Sequence, residues 1–290
     1  MKMKMKKRWQ RRHFDEALAM MFMVVSFGLV LGSLVMILWT VVDKGLPSLN
    51  LAMITQTPKG GYYLGKEGGI LNAIVGSLYM AVGGSVLALL FSLPLALYIE
   101  TYMGDSYWGR WVRLSLDVLW GIPSIVYGAF GFTLMLAMGM RASLLGGIIV
   151  LALLQAPIMT RAMDEVIRRM PRDLEQAALA LGSTKLEVAT RVVVRQMLPG
   201  IVTAILLAFG RGIGDAASVL FTAGYTDRIP TSLLSPAASL PLAVYFQLGT
   251  PFPEVQQRAY ASALILTIIV LVISLGSRFL AGRVSRYTIK

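Results

Sequence analysis

The chain has 290 residues, 56% of them hydrophobic and only 14% charged, with a mean hydropathy of +0.69. That much apolar surface exceeds what a water-soluble core of this size can hide, and it is gathered in runs long enough to span a bilayer. The net charge of +12 comes from Lys and Arg placed in the first twelve residues and beside apolar runs, the distribution of a membrane protein and not of a nucleic-acid binder.

There are no cysteines, which excludes disulfides, thiolate metal sites and cysteine nucleophiles. The single histidine, His13, lies in the basic N-terminal tail, where a solvated or headgroup-contacting role fits better than catalysis.

Taken in chain order, a basic tail over 1–16 precedes a first apolar span over 17–42. The length of that span, without a small-x-small cleavage site, predicts an uncleaved helix and not a signal peptide. An outer loop over 43–71 follows. Within it Gly60-Gly61-Tyr62-Tyr63-Leu64-Gly65-Lys66-Glu67 nearly fits a P-loop. Glu67 replaces the hydroxyl that would ligate magnesium and repels phosphate, so nucleotide binding there is rejected.

Further spans are predicted over 72–99, 114–138, 143–160, 198–222 and 260–281, each near the ~20 residues a crossing needs. The fourth is the shortest, and a snorkelling end at Arg161 is expected to extend it. In lipid the backbone must satisfy its own hydrogen bonds, so the spans are helices. Gly76, Gly83, Gly84, Gly146 and Gly147 allow close helix approach, and Pro94 and Pro123 mark kinks or unwinding. Asp117, beside Trp120 in the third span, reads as a cap or loop contact. The 17 methionines are scattered, as gap-filling packing predicts. A tail over 282–290 closes the chain.

Charge sets the orientation. The N-terminal tail, 100–113, the 161–197 insert and the C-terminal end from Arg278 onward carry twenty Lys and Arg. The opposite loops carry six: Lys44, Lys59, Lys66, Arg141, Arg228 and Arg258. The positive-inside rule therefore predicts that both termini and the insert are cytoplasmic.

Within the insert, Pro171 opens a helix whose first turn holds Glu175, matching the helix dipole. Ala177, Ala178 and Ala180 keep it thin, Gly182 ends or turns it, and a second amphipathic helix is predicted from about Ser183 to Gln196. Ser183 and Glu187 fall one residue outside capping-box spacing. On periodicity alone the insert is equally a solvated helical loop.

Inside the fifth predicted span, Arg211 lies twelve residues beyond Pro199, or ~18 Å along a helix, near mid-bilayer. Asp215 is expected to share its helix face and neutralise it. Gly210, Gly212 and Gly214 leave that helix thin. The pair reads either as an anion site with Asp215 orienting the arginine, or as a structural ion pair fixing helix packing.

Gln176-Ala177-Ala178 followed by Gly182 resembles the Glu-Ala-Ala-x-x-x-Gly coupling loop of bacterial ABC importer permeases. Gln176 stands where the family usually has Glu, and Arg195 where it often has Pro. Gly68–Leu78, Ile122–Gly128, Arg211–Ala217 and Ser239–Leu242 are similar to segments of the phosphate-transport permeases of the PstA family, with Asp215 in place of the usual Glu. The likeness covers roughly 65–290. It implies an all-α membrane protein with six transmembrane helices, the type I ABC importer (MetI-like) permease fold and a cytoplasmic coupling helix.

It further implies a bacterial inner-membrane permease forming half of a phosphate pathway, with Arg211 and Asp215 in the substrate path. Glu175, Gln176, Ala177, Ala178 and Gly182 would dock an ATPase. No cofactor would be bound by this chain; ATP and Mg would sit on the partner. The implied partners are a PstC-like second permease subunit, a PstB-like ATPase dimer, a PstS-like periplasmic phosphate-binding protein and membrane lipid. Other oxyanions (molybdate, tungstate, sulfate), a stand-alone channel or secondary carrier, and a non-transporting scaffold remain as alternatives. A single arginine does not distinguish tetrahedral anions. The absence of internal repeats and of acidic proton relays argues against a secondary carrier.

Overall fold

The computed structural model describes residues 2–59 and 67–284 and is built almost wholly from helices. In order these are α1 (Lys2–Gly45), α2 (Leu51–Thr55), α3 (Leu71–Tyr98), α4 (Tyr107–Gly121), α5 (Ser124–Ala137), α6 (Leu144–Ile167), α7 (Arg172–Ala180), α8 (Lys185–Glu187), α9 (Val194–Ile213), α10 (Leu240–Leu248) and α11 (Pro253–Val284). A two-residue antiparallel ribbon, Pro58–Lys59 against Glu67–Gly68, borders the P-loop-like run. Residues 60–66 of that run, and the side chain of His13, lie outside the described residues.

Among the described residues five helices are long and apolar enough to cross a membrane, and counting α4 with α5 as one span makes six. Helix α1 buries none of its apolar stretch within this chain. It leans on α11 near its end, where a Cβ on Gly45 would meet the Tyr260 carbonyl at 2.7 Å and the Lys44 ammonium sits 5.0 Å from the Tyr260 ring centre.

The centre of the bundle is the pair α3 and α6. Their axes approach because glycines of α3 leave room for large side chains of α6: a Cβ on Gly83 would meet Ile148 at 2.8 Å, and one on Gly84 would meet Leu151 at 2.9 Å. Two hydrogen bonds tie the same seam, Ser85 Oγ to Gln155 Oε1 at 2.7 Å and Ser92 Oγ to the Ala156 carbonyl at 3.1 Å. Met80, Met159 and Met163 are fully buried around it, where an unbranched side chain fills irregular gaps.

Three predicted spans differ from the structure. The expected span over 114–138 is two helices, α4 and α5, meeting at 95°, with the break at Pro123, where a kink or unwinding was expected. Proline disfavours the helical conformation in the residue before it, and here Ile122 is extended (ψ 132°), followed by Pro123 at ψ 136°. The expected 198–222 helix is displaced: α9 continues from α8 through a π-helical turn (Val188–Val193) and stops at Ile213. Residues 215–223 form turns instead of helix. Helix α6 reaches Ile167, but Arg161 does not snorkel. It is held in ion pairs with Asp117 and Asp164.

Beyond those turns the chain returns through the bundle. Ser239 caps α10 by accepting the Leu242 N–H, and the Leu240 N–H donates to Ser77 Oγ at 2.7 Å. Ala237, Ala238, Leu240, Leu242 and Ala243 are fully buried, so this predicted outer loop is part of the core.

Candidate functional site

Arg211 sits in the last turn of α9, and its side chain is 56% exposed. Asp215 lies beyond the helix end and is 5% exposed, with Oδ1 4.0 Å from Arg211 Nη2. The carboxylate is committed elsewhere: its Oδ2 accepts the Ser218 N–H at 2.8 Å, closing the turn after Gly214. The two residues are therefore neighbours, but not on one helix face. The helix ends because three glycines in five residues weaken it and the aspartate side chain competes for backbone N–H groups.

The turns after α9 are locked into the bundle. A Cβ on Gly128 of α5 would meet the carbonyls of Ala217 and Ser218 at 2.8 Å, and the Ser143 N–H donates to the Thr222 carbonyl at 2.9 Å. Non-helical backbone at membrane depth is tolerated only where protein or a water-lined cavity surrounds it. Gly212 lies tight against the Gln155 amide of α6, whereas among the described residues nothing beyond the helix's own backbone lies within 4 Å of the vacant Cβ position on Gly210, and only the Gly210 carbonyl approaches that on Gly214. The end of α9 thus fits into the bundle by Gly212 and presents an uncovered surface carrying the Arg211 guanidinium. A charge in a membrane span needs a bundle interior, a partner or water. Part of the surroundings of Arg211 must come from outside this chain.

The segment expected to couple to an ATPase is built from α7 and the turn after it. Asp173 and Glu175 occupy the first turn of α7, where the helix dipole favours negative charge. Gln176 and Ala177 are exposed, Glu175 is half-buried, and Ala178 packs against the cluster containing Met163, Ile167 and Val188. Gly182 has φ +88°, the left-handed conformation that closes a helix, and the Ser183 N–H reaches back to the Ala178 carbonyl at 3.2 Å. The next helix starts one residue later than Ser183: Thr184 and Glu187 form a full capping box. The signal was the Thr-x-x-Glu spacing, displaced by one from the pair considered in the sequence. Leu181, at the tip of the turn, is 88% exposed.

A cluster absent from the sequence reading joins α3, α4 and α6. Arg113 is buried and donates through Nε to Asp164 Oδ2 at 2.9 Å, through Nη2 to Glu100 Oε2 at 2.8 Å and through Nη1 to the Gly104 carbonyl at 2.6 Å. Arg161 bridges Asp164 and Asp117 at 2.8 and 2.7 Å. The role expected of Asp117, a cap or a loop contact, is replaced by this ion pair to another span. The available signal was spacing: Arg113 and Asp117 are one helical turn apart, as are Arg161 and Asp164, so each pair shares a face.

The family described as binding-protein-dependent transport system inner membrane component matches residues 88–290. The chain is 32% identical to the phosphate transport system permease protein PstA of Yersinia pestis, over 96% of this chain and 93% of that protein. It is 34% identical to the phosphate transport system permease protein PstA 1 of Mycobacterium tuberculosis, over 94% and 91% respectively. Two solved structures share the fold at low identity. One is the inward-facing MetNI methionine ABC transporter (TM-score 0.60, 18% identity, 74% of this chain and 95% of that one). The other is a bacterial alginate ABC transporter in complex with alginate pentasaccharide-bound periplasmic protein (TM-score 0.58, 16% identity, 93% and 95%). With its apolar helices, its type I importer fold and these relatives, the chain is a membrane-spanning permease and belongs to the family of binding-protein-dependent transport system inner membrane components.

Proposed function

We propose that this chain is one of two permease subunits of an ATP-driven phosphate importer, with Arg211 lining a path completed by the second subunit. The observation that carries the reading is the half-exposed Arg211 guanidinium on the uncovered end of α9, in a chain whose relatives are named phosphate transport system permease proteins. A planar guanidinium can hold two oxygens of a tetrahedral oxyanion at once, and it stays charged at any physiological pH. Asp215, at 4.0 Å, limits the net charge without occupying the donor fork.

The termini and the 161–197 insert face the cytoplasm in this reading, on the strength of the Lys and Arg distribution. An ATPase dimer docks on α7 and its turn, with Gln176, Ala177 and the protruding Leu181 as the accessible surface. A phosphate-loaded binding protein docks on the opposite side. ATP-driven closure of the ATPase dimer displaces the coupling helices and turns the bundles, opening the path outward to accept phosphate. Return of the bundles releases it inward.

The test is uptake by the complete complex in proteoliposomes, offered phosphate, molybdate, tungstate or sulfate with the matching binding protein. Arg211→Gln is expected to abolish phosphate uptake while the complex still co-purifies. Wild-type uptake by Arg211→Gln removes the arginine from the pathway, and a purified complex containing no ATPase refutes the reading as a whole.

A further inference from the structure

Five charged side chains meet where the ends of three spans converge. Arg113, 6% exposed, forks onto Asp164, which is fully buried, and reaches Glu100 in the π-helical turn (Ile99–Met103) at the end of α3. Arg161 joins Asp164 to Asp117, one turn along α4 from Arg113. Outside this knot Asp105, in the turn before α4, takes Arg168 at 3.0 Å and Arg172, the first residue of α7, at 3.8 Å. Charged contacts thus run from the coupling helix to the foot of α4.

Buried ion pairs are poor sources of stability, because desolvation offsets their attraction, and apolar packing would hold the helices as well. What an arginine fork supplies is direction: bidentate bonds fix both distance and orientation. The attachment reaches along α4 as far as Asp117, one turn short of its end at Gly121. Further along, α4 and α5 bend by 95° at the non-helical Ile122–Pro123 step. Beneath the elbow lies an apolar cavity of about 510 Å³, bordered by Leu116, Leu119, Tyr127 and Phe130 of the bent pair and by Leu153 and Pro157 of α6. Helix α4 is thus clamped to α6 up to Asp117, and the bend follows one turn later, where Tyr127 Oη donates to the Leu119 carbonyl at 2.8 Å.

We propose that the Arg113–Asp164 clamp, with Glu100, Arg161 and Asp117, is the positioning link that makes α4 travel with α6 and the coupling helix as one body, delivering their displacement to the α4–α5 elbow. The inference rests on the importer reading above. It assigns these residues no contact with substrate.

The chain has no cysteine, so introduced thiols are unique within it. Phosphate uptake and ATP hydrolysis are measured together in proteoliposomes of the complete complex. Asp164→Asn is expected to lower phosphate moved per ATP at least fivefold. Adding Asp117→Cys and Arg161→Cys to that variant and joining them with a short bifunctional thiol reagent should restore the ratio to within twofold of the unaltered complex. An unchanged ratio in Asp164→Asn overturns the proposal. So does loss of uptake when the same cysteine pair is cross-linked with Asp164 in place, because a fixed strut tolerates the link and a gate does not. If Asp164→Asn fails to assemble, that second experiment decides alone: retained uptake supports the clamp. An unaltered complex that moves another oxyanion instead refutes the phosphate assignment, and the same ratios are then read with that anion.

Discussion

Replacing Gly182 by alanine isolates the backbone contribution to coupling. Gly182 holds φ +88°, and among the described residues no atom beyond its chain neighbours lies within 4 Å of a Cβ built there, so the substitution introduces no clash with them. The cost is conformational alone: about 1–2 kcal/mol for an L-residue in the left-handed region. If the ATPase recognises only the closed turn, that cost is subtracted from docking. At about 1.4 kcal/mol per factor of ten, the affinity falls roughly 5- to 30-fold. Asparagine enters the left-handed region more readily, so Gly182→Asn should lie between wild type and Gly182→Ala. Equilibrium binding of the purified ATPase subunit to the permease complex in lipid nanodiscs measures this directly. Wild-type affinity in Gly182→Ala would refute the requirement for the turn. Equal damage from Asn and Ala would mean that the glycine is needed for its missing side chain, against the partner's surface.

Three other perturbations test neighbouring parts. Thr184→Ala removes the capping box and should destabilise the start of the second coupling helix by about 1 kcal/mol; hydrogen exchange of the 186–188 amides should accelerate several-fold, and unchanged exchange would show the cap to be idle. Gly212→Ala drives a methyl into the Gln155 amide, which Ser85 holds in place, and overpacking of this kind costs about 1–3 kcal/mol. The thermal midpoint of the purified complex should fall, and a second change, Gln155→Ala, should recover part of the loss; additive losses would refute the contact. Gln176→Glu should leave ATP-dependent uptake intact or stronger, since Gln176 is exposed on α7 and the added charge lies early in a helix. Loss of coupling in that variant would show that Gln176 itself is recognised.

The apolar runs were sufficient to identify the helical spans, because a bilayer imposes both a length and internal hydrogen bonding on whatever crosses it. The Gln176–Gly182 segment was equally legible, since a helix start with Asp173 and Glu175, a run of alanines and a glycine in the left-handed region are all local features. Where helices end was less legible. Ile122 before Pro123 carried a local signal for the 95° elbow, but the run is apolar throughout and hydropathy reads it as one span. The stop at Ile213 depends on Asp215 turning to the Ser218 N–H and on the tight seat of Gly212 against Gln155, a residue 57 positions earlier.

Arg211 and Asp215 could be picked out from sequence as charges in an apolar run, yet their geometry could not, because it depends on that helix end. The Arg113–Asp164 clamp shows the limit most clearly. Each member was visible as a charge near the end of a span, but pairing joins residues 51 positions apart and requires α4 to lie across the end of α6. Sequence alone determined that this protein crosses a membrane as helices and that a glycine closes the short helix of the 161–197 insert, because hydropathy and turn chemistry act over neighbouring residues. The tertiary structure alone decided which charges meet, where the helices break and which face of α9 is left uncovered, because those depend on distant segments reaching the same place.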